Sequence, residues 1–327
     1  MRIGTVGTNF VVVDFVKSAR AAGAEVTACY SRRRETADAF ADKNGIEKRY
    51  DDRAAFLNDE TLDFIYIASP NSLHFRWTID ALNAGRNVIC EKPFMSNTRE
   101  VEEAIRLAGQ KGLFLFEAVT VPHSPNYQKL RDELPALGEI KLVQLNMSQY
   151  SSRYDAHLRG ENPNIFNPAF SGGALMDLGY YVIHFAYGLF GEPLTVQYYA
   201  NKADNGIDTS GTTILQYPGM ICTLTACKDS RSENLNQIQG TGGYITIPGA
   251  ASICAQYTVH TREGDRTENV QQPDAPSLYY EMADFKAIWE ARDHKKADEL
   301  LDYALRVNRI VERARRSAGI LFPADQA

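Results

Sequence analysis

The chain has 327 residues, more than one small core accommodates and enough for two domains. A formal net charge of −6, with 44% hydrophobic and 23% charged residues, fits an ordinary globular protein and argues against a nucleic-acid-binding surface. No run is long and apolar enough to span a bilayer, Met1-Arg2-Ile3-Gly4 carries no signal-peptide pattern, and the five cysteines are too scattered for a disulfide framework or a zinc knuckle. The expectation is a reduced, cytoplasmic protein with no membrane partner, no nucleic-acid partner and no structural metal.

The first 120 residues alternate strand and helix. Arg2–Val6 is a short apolar strand, residues 14–22 are helical, and Gly23 ends that helix. A strand at 26–30 precedes a helix at 35–44, stopped by Gly45. Residues 64–68 (FIYIA) form a continuous apolar run, as expected of a strand buried on both faces. A helix at 73–83 and a strand at 88–90 follow. Asn97 and Glu100 then have capping-box spacing before a helix whose core face is Val101, Ala104, Ile105 and Ala108. A strand at 113–118 completes a pattern that implies a parallel sheet with helices on both sides.

After Pro122 the pattern changes. A helix at 126–134 is stopped by Pro135. Strands are expected at 140–150, 194–201, 212–217, 220–228, 236–239, 244–247 and 257–261, joined by short turns of which Pro218-Gly219 is the clearest. They suggest a mostly antiparallel sheet. Helices at 279–292 and 297–318 close the chain. The fold class is therefore α/β: a doubly wound parallel sheet, then an α+β domain on a large, open, mostly antiparallel sheet.

The first strand runs into Gly7-Thr8-Asn9-Phe10-Val11-Val12 and a helix, where a dinucleotide-binding fold places its phosphate turn. The G-x-G-x-x-G/A pattern is partial. Gly7 fills its first position, Asn9 its second, as the residue next most tolerant of positive φ, and Val12 its third. Alone, the turn reads equally as any βαβ connection. The second strand ends in Tyr30-Ser31-Arg32 rather than the Asp or Glu that holds a ribose 2′-hydroxyl. Ser31 and Arg32 suit a 2′-phosphate, so NADP(H) is preferred over NAD(H) given a nucleotide fold; a solvated basic turn is the alternative. Ser69, Pro70 and Asn71 follow FIYIA at the carboxyl edge of the sheet, with His74 one helical turn on.

Two further stretches carry charge where burial is expected. Glu91 and Lys92 stand at the mouth of the 88–90 strand, closed by Pro93. Asp177, Tyr181 and His184 share one face of an otherwise apolar helix that begins Gly172-Gly173. Buried polar groups need partners, which either the protein or a ligand supplies.

Taken together, these residues resemble the glucose–fructose oxidoreductase/inositol dehydrogenase/MocA family. The order that carries the resemblance is Gly7-Thr8, Ser69-Pro70-Asn71-x-x-His74, Glu91-Lys92-Pro93, Asn167-Pro168-Ala169, then Gly172-Gly173-x-x-x-Asp177-x-Gly179-x-Tyr181-x-x-His184. The resemblance spans the chain. It implies a Rossmann domain, expected at 1–121, and a substrate-binding domain at 122–327 whose open sheet forms a homodimer or higher homo-oligomer, with the final helix packing back on the first domain. It implies a cofactor contacted by Gly7, Thr8, Asn9, Phe10, Ser31, Arg32, Ser69, Pro70, Asn71, His74, Glu91 and Lys92. It also implies a cis Lys92–Pro93 bond. Many members carry His four residues after the Asp; Tyr181 here is similar to the branch with dimeric dihydrodiol dehydrogenases.

The chemistry implied is hydride transfer between nicotinamide and a CH–OH or C=O carbon of a small polyhydroxylated or cyclic diol substrate. Lys92, Tyr181 and Asp177 are the catalytic candidates. Tyr181 moves the proton, with the Lys92 cation lowering its pKa from about 10. Asp177 orients Lys92 or a substrate hydroxyl. His184, Tyr154, Asn164 and Phe166 are candidate substrate contacts, the last three on the long loop 151–171. Two rival functions fit the same residues: an NADP(H) sensor without turnover and an NAD-dependent glycosidase of the same fold.

Overall fold

The computed structural model describes residues 1–326, so Ala327, the last residue of the expected second domain, lies outside the described residues. The chain forms two compact units. The first comprises Met1–Val119 and Pro273–Leu305; the second comprises Thr120–Gln272 and the residues from Arg306 on.

Within the first unit, β1 (Arg2–Val6), α1 (Phe10–Ala21), β2 (Glu25–Tyr30), α2 (Arg34–Asn44), β3 (Lys48–Tyr50), α3 (Arg53–Leu57), β4 (Phe64–Ile67), α4 (His74–Asn83), β5 (Asn87–Glu91), α5 (Thr98–Lys111) and β6 (Leu115–Ala118) follow in order. The strands form one parallel sheet, ordered β3-β2-β1-β4-β5-β6. The winding reverses between β1 and β4, which opens a crevice at their carboxyl ends.

Residues 64–67 explain why the sheet is covered twice. Phe64 and Tyr66 enter one core with Val12 and Phe15; Ile65 and Ile67 enter the other with Leu82 and Val101. Phe15 stacks on Tyr66 with ring centroids 3.5 Å apart. The start of α5 differs in detail from the expected capping box. Asn97 accepts from the Glu100 amide at 3.0 Å, but the Glu100 carboxylate accepts from the amide of Ser96, one residue earlier. The sequence reading missed β3 and α3.

In the second unit, α6 (Pro125–Glu133), β7 (Ile140–Ser148) and α7 (Tyr154–Leu158) lead to a π-helical turn at Leu175–Gly179, which continues as α8 (Tyr180–Phe190). Then come β8 (Thr195–Lys202), β9 (Asp208–Tyr217), β10 (Met220–Cys227), β11 (Leu235–Gly240), β12 (Gly243–Pro248), β13 (Tyr257–Thr261) and β14 (Gly264–Glu268). The eight strands run β14-β13-β12-β11-β7-β10-β9-β8. Only the central β7–β10 pair is parallel; the others are antiparallel. Tyr217 pairs with Met220, so Pro218-Gly219 is a two-residue turn, with Gly219 at φ 72°.

One face of this sheet is covered and the other is open, the usual state of an antiparallel sheet. Val143, Leu145, Cys222 and Leu224 are buried, whereas the register partners Leu142 and Ile221 are 44% and 43% exposed.

Two helices end the chain, α9 (Tyr279–Glu290) and α10 (His294–Ser317). Met282, Phe285 and Ala297 complete the first unit's core around Phe15, and Leu301 and Ala304 complete its second core. In the second unit, Asn308 donates to the Tyr180 hydroxyl at 2.8 Å, and the buried Arg315 pairs with Asp325. Residues 273–305 thus belong with the first unit. Among the described residues, no helix is long and apolar enough to cross a membrane, and no group of three or more His, Cys, Asp or Glu side chains is placed to hold a metal ion.

Candidate active site

The turn after β1 is built for close approach. Gly7 has φ 108°, and a Cβ there would lie 2.8 Å from the Ala68 carbonyl oxygen. Its amide donates to Tyr30 O at 3.3 Å, tying the turn to the end of β2. The expected reason for Asn9 is corrected: its φ is −78°, an ordinary extended value. Asn9 instead caps α1, accepting from the Val12 amide and donating to Ala68 O, each at 3.2 Å. A short polar side chain is needed there, but not for left-handed backbone. Val12 is fully buried, so the third motif position is core.

A cavity of about 430 Å³ opens beside this turn. Gly7, Thr8, Asn9, Ser31, Arg32, Ser69 and Pro70, all expected cofactor contacts, line it. Arg53, Arg76 and Trp77 line it as well, and among the described residues no carboxylate does. A cradle too tight for a side chain at Gly7, the amino end of α1, and three guanidinium groups at one end fit a phosphorylated dinucleotide. Phe10, in contrast, is 79% exposed and outside this lining.

The remaining expected contacts of this unit are neighbours of the cavity. Asn71 begins a short 3₁₀ turn before α4. His74 is buried, and its ring nitrogens lie 2.9 Å from Pro93 O and 2.9 Å from Ser69 O. Desolvation pushes its pKa down, and a neutral imidazole donates through one nitrogen only. Both neighbours are carbonyl acceptors, so the neutral ring donates to one of them and only packs against the other, filling the space between the Ser69-Pro70 wall and the bend after β5. That bend contains a cis Lys92–Pro93 bond. Glu91 is buried and accepts from the Tyr66 hydroxyl at 2.6 Å; Lys92 is half-buried, with its amide on Ala118 O.

The second unit holds the other polar helix. The π-helical turn alters the rotation between residues 177 and 181, so the regular four-residue step assumed from sequence does not apply. Asp177 and Tyr181 are nevertheless the half-buried positions among enclosed neighbours. His184 is fully buried and packs on Tyr180 at 4.8 Å between ring centroids. Phe166 is likewise fully enclosed, against Tyr154 and His157. Tyr154 lines a cavity of about 630 Å³ together with His157, Asn162, Asn205 and Thr209. Asn164 is exposed on a 3₁₀ turn outside that lining.

Two residues here escaped the sequence reading. Lys228, just past β10, is buried and donates to Asp177 Oδ2. Its main chain bonds Thr209 O and Ser151 N, each at 2.9 Å, and its ammonium lies 5.9 Å from the Phe166 ring. Asp177 was expected to orient Lys92 or a substrate hydroxyl; Lys228 is a partner it already has. Asp208 is the second. It accepts from the Leu175 amide at 2.6 Å and the Tyr198 hydroxyl at 2.8 Å. Burial pushes its pKa up against these hydrogen bonds. A Cβ on Gly173 would collide with this carboxylate, and one on Gly172 with Ile165 O. The double glycine thus admits a carboxylate and a backbone carbonyl. Neither Lys228 nor Asp208 has a local signal, since Lys228 meets Asp177 51 positions away and Asp208 meets the Leu175 amide 33 positions away.

Residues 1–119 match the model of an oxidoreductase family with an NAD-binding Rossmann fold, and residues 128–246 match the GFO/IDH/MocA C-terminal domain. The chain belongs to the Gfo/Idh/MocA family of oxidoreductases. It is 38% identical over 332 residues to an uncharacterised oxidoreductase of Escherichia coli, covering 99% of this chain and 98% of that protein. It is 37% identical to the NADP(+)-dependent scyllo-inositol 2-dehydrogenase of Bacillus subtilis, over 100% of both. A 3-ketoreductase of Actinomadura kijaniata, solved with NADP, has the same fold at a TM-score of 0.81, with 22% identity and 97% coverage of both chains. As a member of the Gfo/Idh/MocA family, the protein is an NAD(P)-dependent oxidoreductase acting on CH–OH groups of small molecules.

Proposed function

We propose that this chain is an NADP(H)-preferring dehydrogenase or reductase of a small polyhydroxylated or cyclic diol substrate. The observation that carries the cofactor preference is the cavity beside Gly7. Ser31 and three arginines line it, and among the described residues no carboxylate does. A carboxylate there would repel a 2′-phosphate; a guanidinium binds it through paired N–H donors. The NADP(+) dependence of the Bacillus subtilis relative agrees with this reading.

The cofactor supplies or accepts the hydride. Gly7, Thr8 and Asn9 hold the pyrophosphate, and Ser31 and Arg32 meet the 2′-phosphate. Glu91 and His74 fix the bend from which Lys92 presents its ammonium to a substrate oxygen. Tyr181 gives or takes the hydroxyl proton. Asp177, paired with Lys228, orders the polar face of its helix. Tyr154 and Asn164 belong to the substrate-facing loop, which His184 and Phe166 support from within.

The protein is proposed to be a homo-oligomer joined through the open face of the eight-stranded sheet, where Leu142, Tyr199 and Ile221 are exposed. Five buried thiols suit a reducing compartment such as the cytoplasm.

The test is to titrate NADPH and NADH into the purified protein, then assay inositols, sugars and cyclic diols with the preferred cofactor. Tighter NADPH binding with oxidation of at least one polyol is expected. Equal or tighter NADH binding would sink the cofactor reading, and NADPH binding without turnover across the panel would sink the enzymatic one.

A further inference from the structure

Of the three arginines lining the nucleotide cavity, only Arg53 is held in place on two sides. The carbon of its guanidinium lies 3.9 Å from the centroid of the Trp77 ring. Its Nη2 pairs with Asp80 and donates to Arg76 O at 3.4 Å. Its Nε is buried and has no hydrogen-bond partner among the described residues, and its Nη1 has none. Arg76 is 72% exposed and shares the same Asp80 at 3.0 Å. Arg32 is exposed and has no hydrogen bond or ion pair among the described residues.

Two guanidinium groups thus share one carboxylate, and Arg32 adds a third positive charge, so the cavity mouth keeps an excess of positive charge. Trp77 itself is fixed by Tyr30, the residue before Ser31, with ring centroids 5.0 Å apart. The end of β2, the start of α3 and the first turn of α4 therefore converge on one guanidinium whose Nη1 still has unspent donors. A side chain already held in place loses little conformational freedom on binding, whereas an untethered one such as Arg32 loses much more.

We infer that Arg53 is the specificity-determining residue for the adenosine 2′-phosphate, carrying a larger share of the discrimination against a 2′-hydroxyl than Arg32 does. This rests on the NADP(H) reading above. Trp77 and Asp80 act as positioning residues for Arg53.

The experiment compares NADPH, NADH and adenosine 2′-monophosphate binding to wild type, Arg53→Gln, Arg53→Lys and Arg32→Gln, by titration and by thermal shift. Arg53→Gln should weaken NADPH about ten- to hundredfold and leave NADH within about twofold. Adenosine 2′-monophosphate should weaken in parallel. Arg53→Lys should fall between, because it keeps the charge without the planar stack. Arg32→Gln should lose less than Arg53→Gln. Unchanged NADPH-to-NADH preference in Arg53→Gln, or a larger loss in Arg32→Gln, would overturn the inference. A wild type that does not prefer NADPH would instead overturn the cofactor reading on which it rests. Retained NADH binding shows that a variant is folded.

Discussion

The two units solve the problem of a polar site in different ways. In the first, backbone does most of the work: a glycine turn, a helix start and strand ends leave space and N–H groups, and cationic side chains close one end. In the second, side chains do it: Asp177 is matched by Lys228, and a buried carboxylate and a double glycine set the start of the helical run. A backbone-built site suits a ligand shared by a whole family. A side-chain-built site suits a ligand that differs between members, because a substitution changes it without refolding the sheet.

The strongest effects are expected from the residues proposed to handle the proton. Lys92→Ala and Tyr181→Phe are each expected to lower turnover by about 10²-fold or more while NADPH binding stays within about twofold. Loss of binding in parallel with turnover would move either residue to the cofactor side of the comparison. Gly7→Ala should do the reverse. A Cβ at φ 108° facing Ala68 O costs about 1–3 kcal/mol of strain and should weaken cofactor binding, read by titration, before it affects catalysis by bound enzyme.

Lys228→Met tests the side-chain-built half. It removes a charge-assisted hydrogen bond worth about 1.5–3 kcal/mol, and it should lower both Tm and kcat, with Lys228→Arg restoring part of each. An unchanged pH–rate profile in Lys228→Met would show that the ammonium does not influence Asp177 during turnover. On the open sheet face, Ile221→Glu should convert an oligomer to monomer in light scattering; an unchanged mass would remove that face from the interface.

The smallest effect concerns Glu281, enclosed in the first unit with one carboxylate oxygen unpartnered. Burial, then the nearby Glu91 and Glu117, raise its pKa well above 4.5. The folded state therefore holds a proton that the unfolded chain releases. The associated stability is present below about pH 4.5 and is lost as pH rises toward the raised value. Glu281→Gln should remove that loss, so its Tm advantage over wild type should grow from about pH 5 to about pH 8. A constant difference across that range would contradict the raised pKa.

Much of the first unit was legible because its signals are local. FIYIA is apolar at every position, Asn97 sits three residues before an acid, and α1, α2, α4 and α5 each end near a glycine. The missed elements lack such signals. Lys48–Tyr50 and Arg53–Leu57 are too short for a period to emerge, and the five residues of β14, Gly-Asp-Arg-Thr-Glu, are all polar or glycine on an edge strand. Among site residues, Ser31 and Arg32 were readable from the end of β2, but Arg53 joins them only through the pairing of β2 with β3. Lys228 is read only once β10 is laid beside β7, and the π-helical turn carries no period that separates it from α8 in sequence.

The anchoring of the second unit's helix has a consequence for how this scaffold changes over time. Its start is located by main-chain atoms: the Leu175 amide on Asp208, and Ile165 O in the space at Gly172. Side chains further along add separate ties, Asp177 to Lys228 and Tyr180 to Asn308. Because the start is tied through main-chain atoms, substitutions at neighbouring substrate-facing positions leave it where it is, so new substrate preferences can arise on an unchanged frame. The two glycines are the exception. Substitution at either has no room, and the lineage that loses one loses the frame with it.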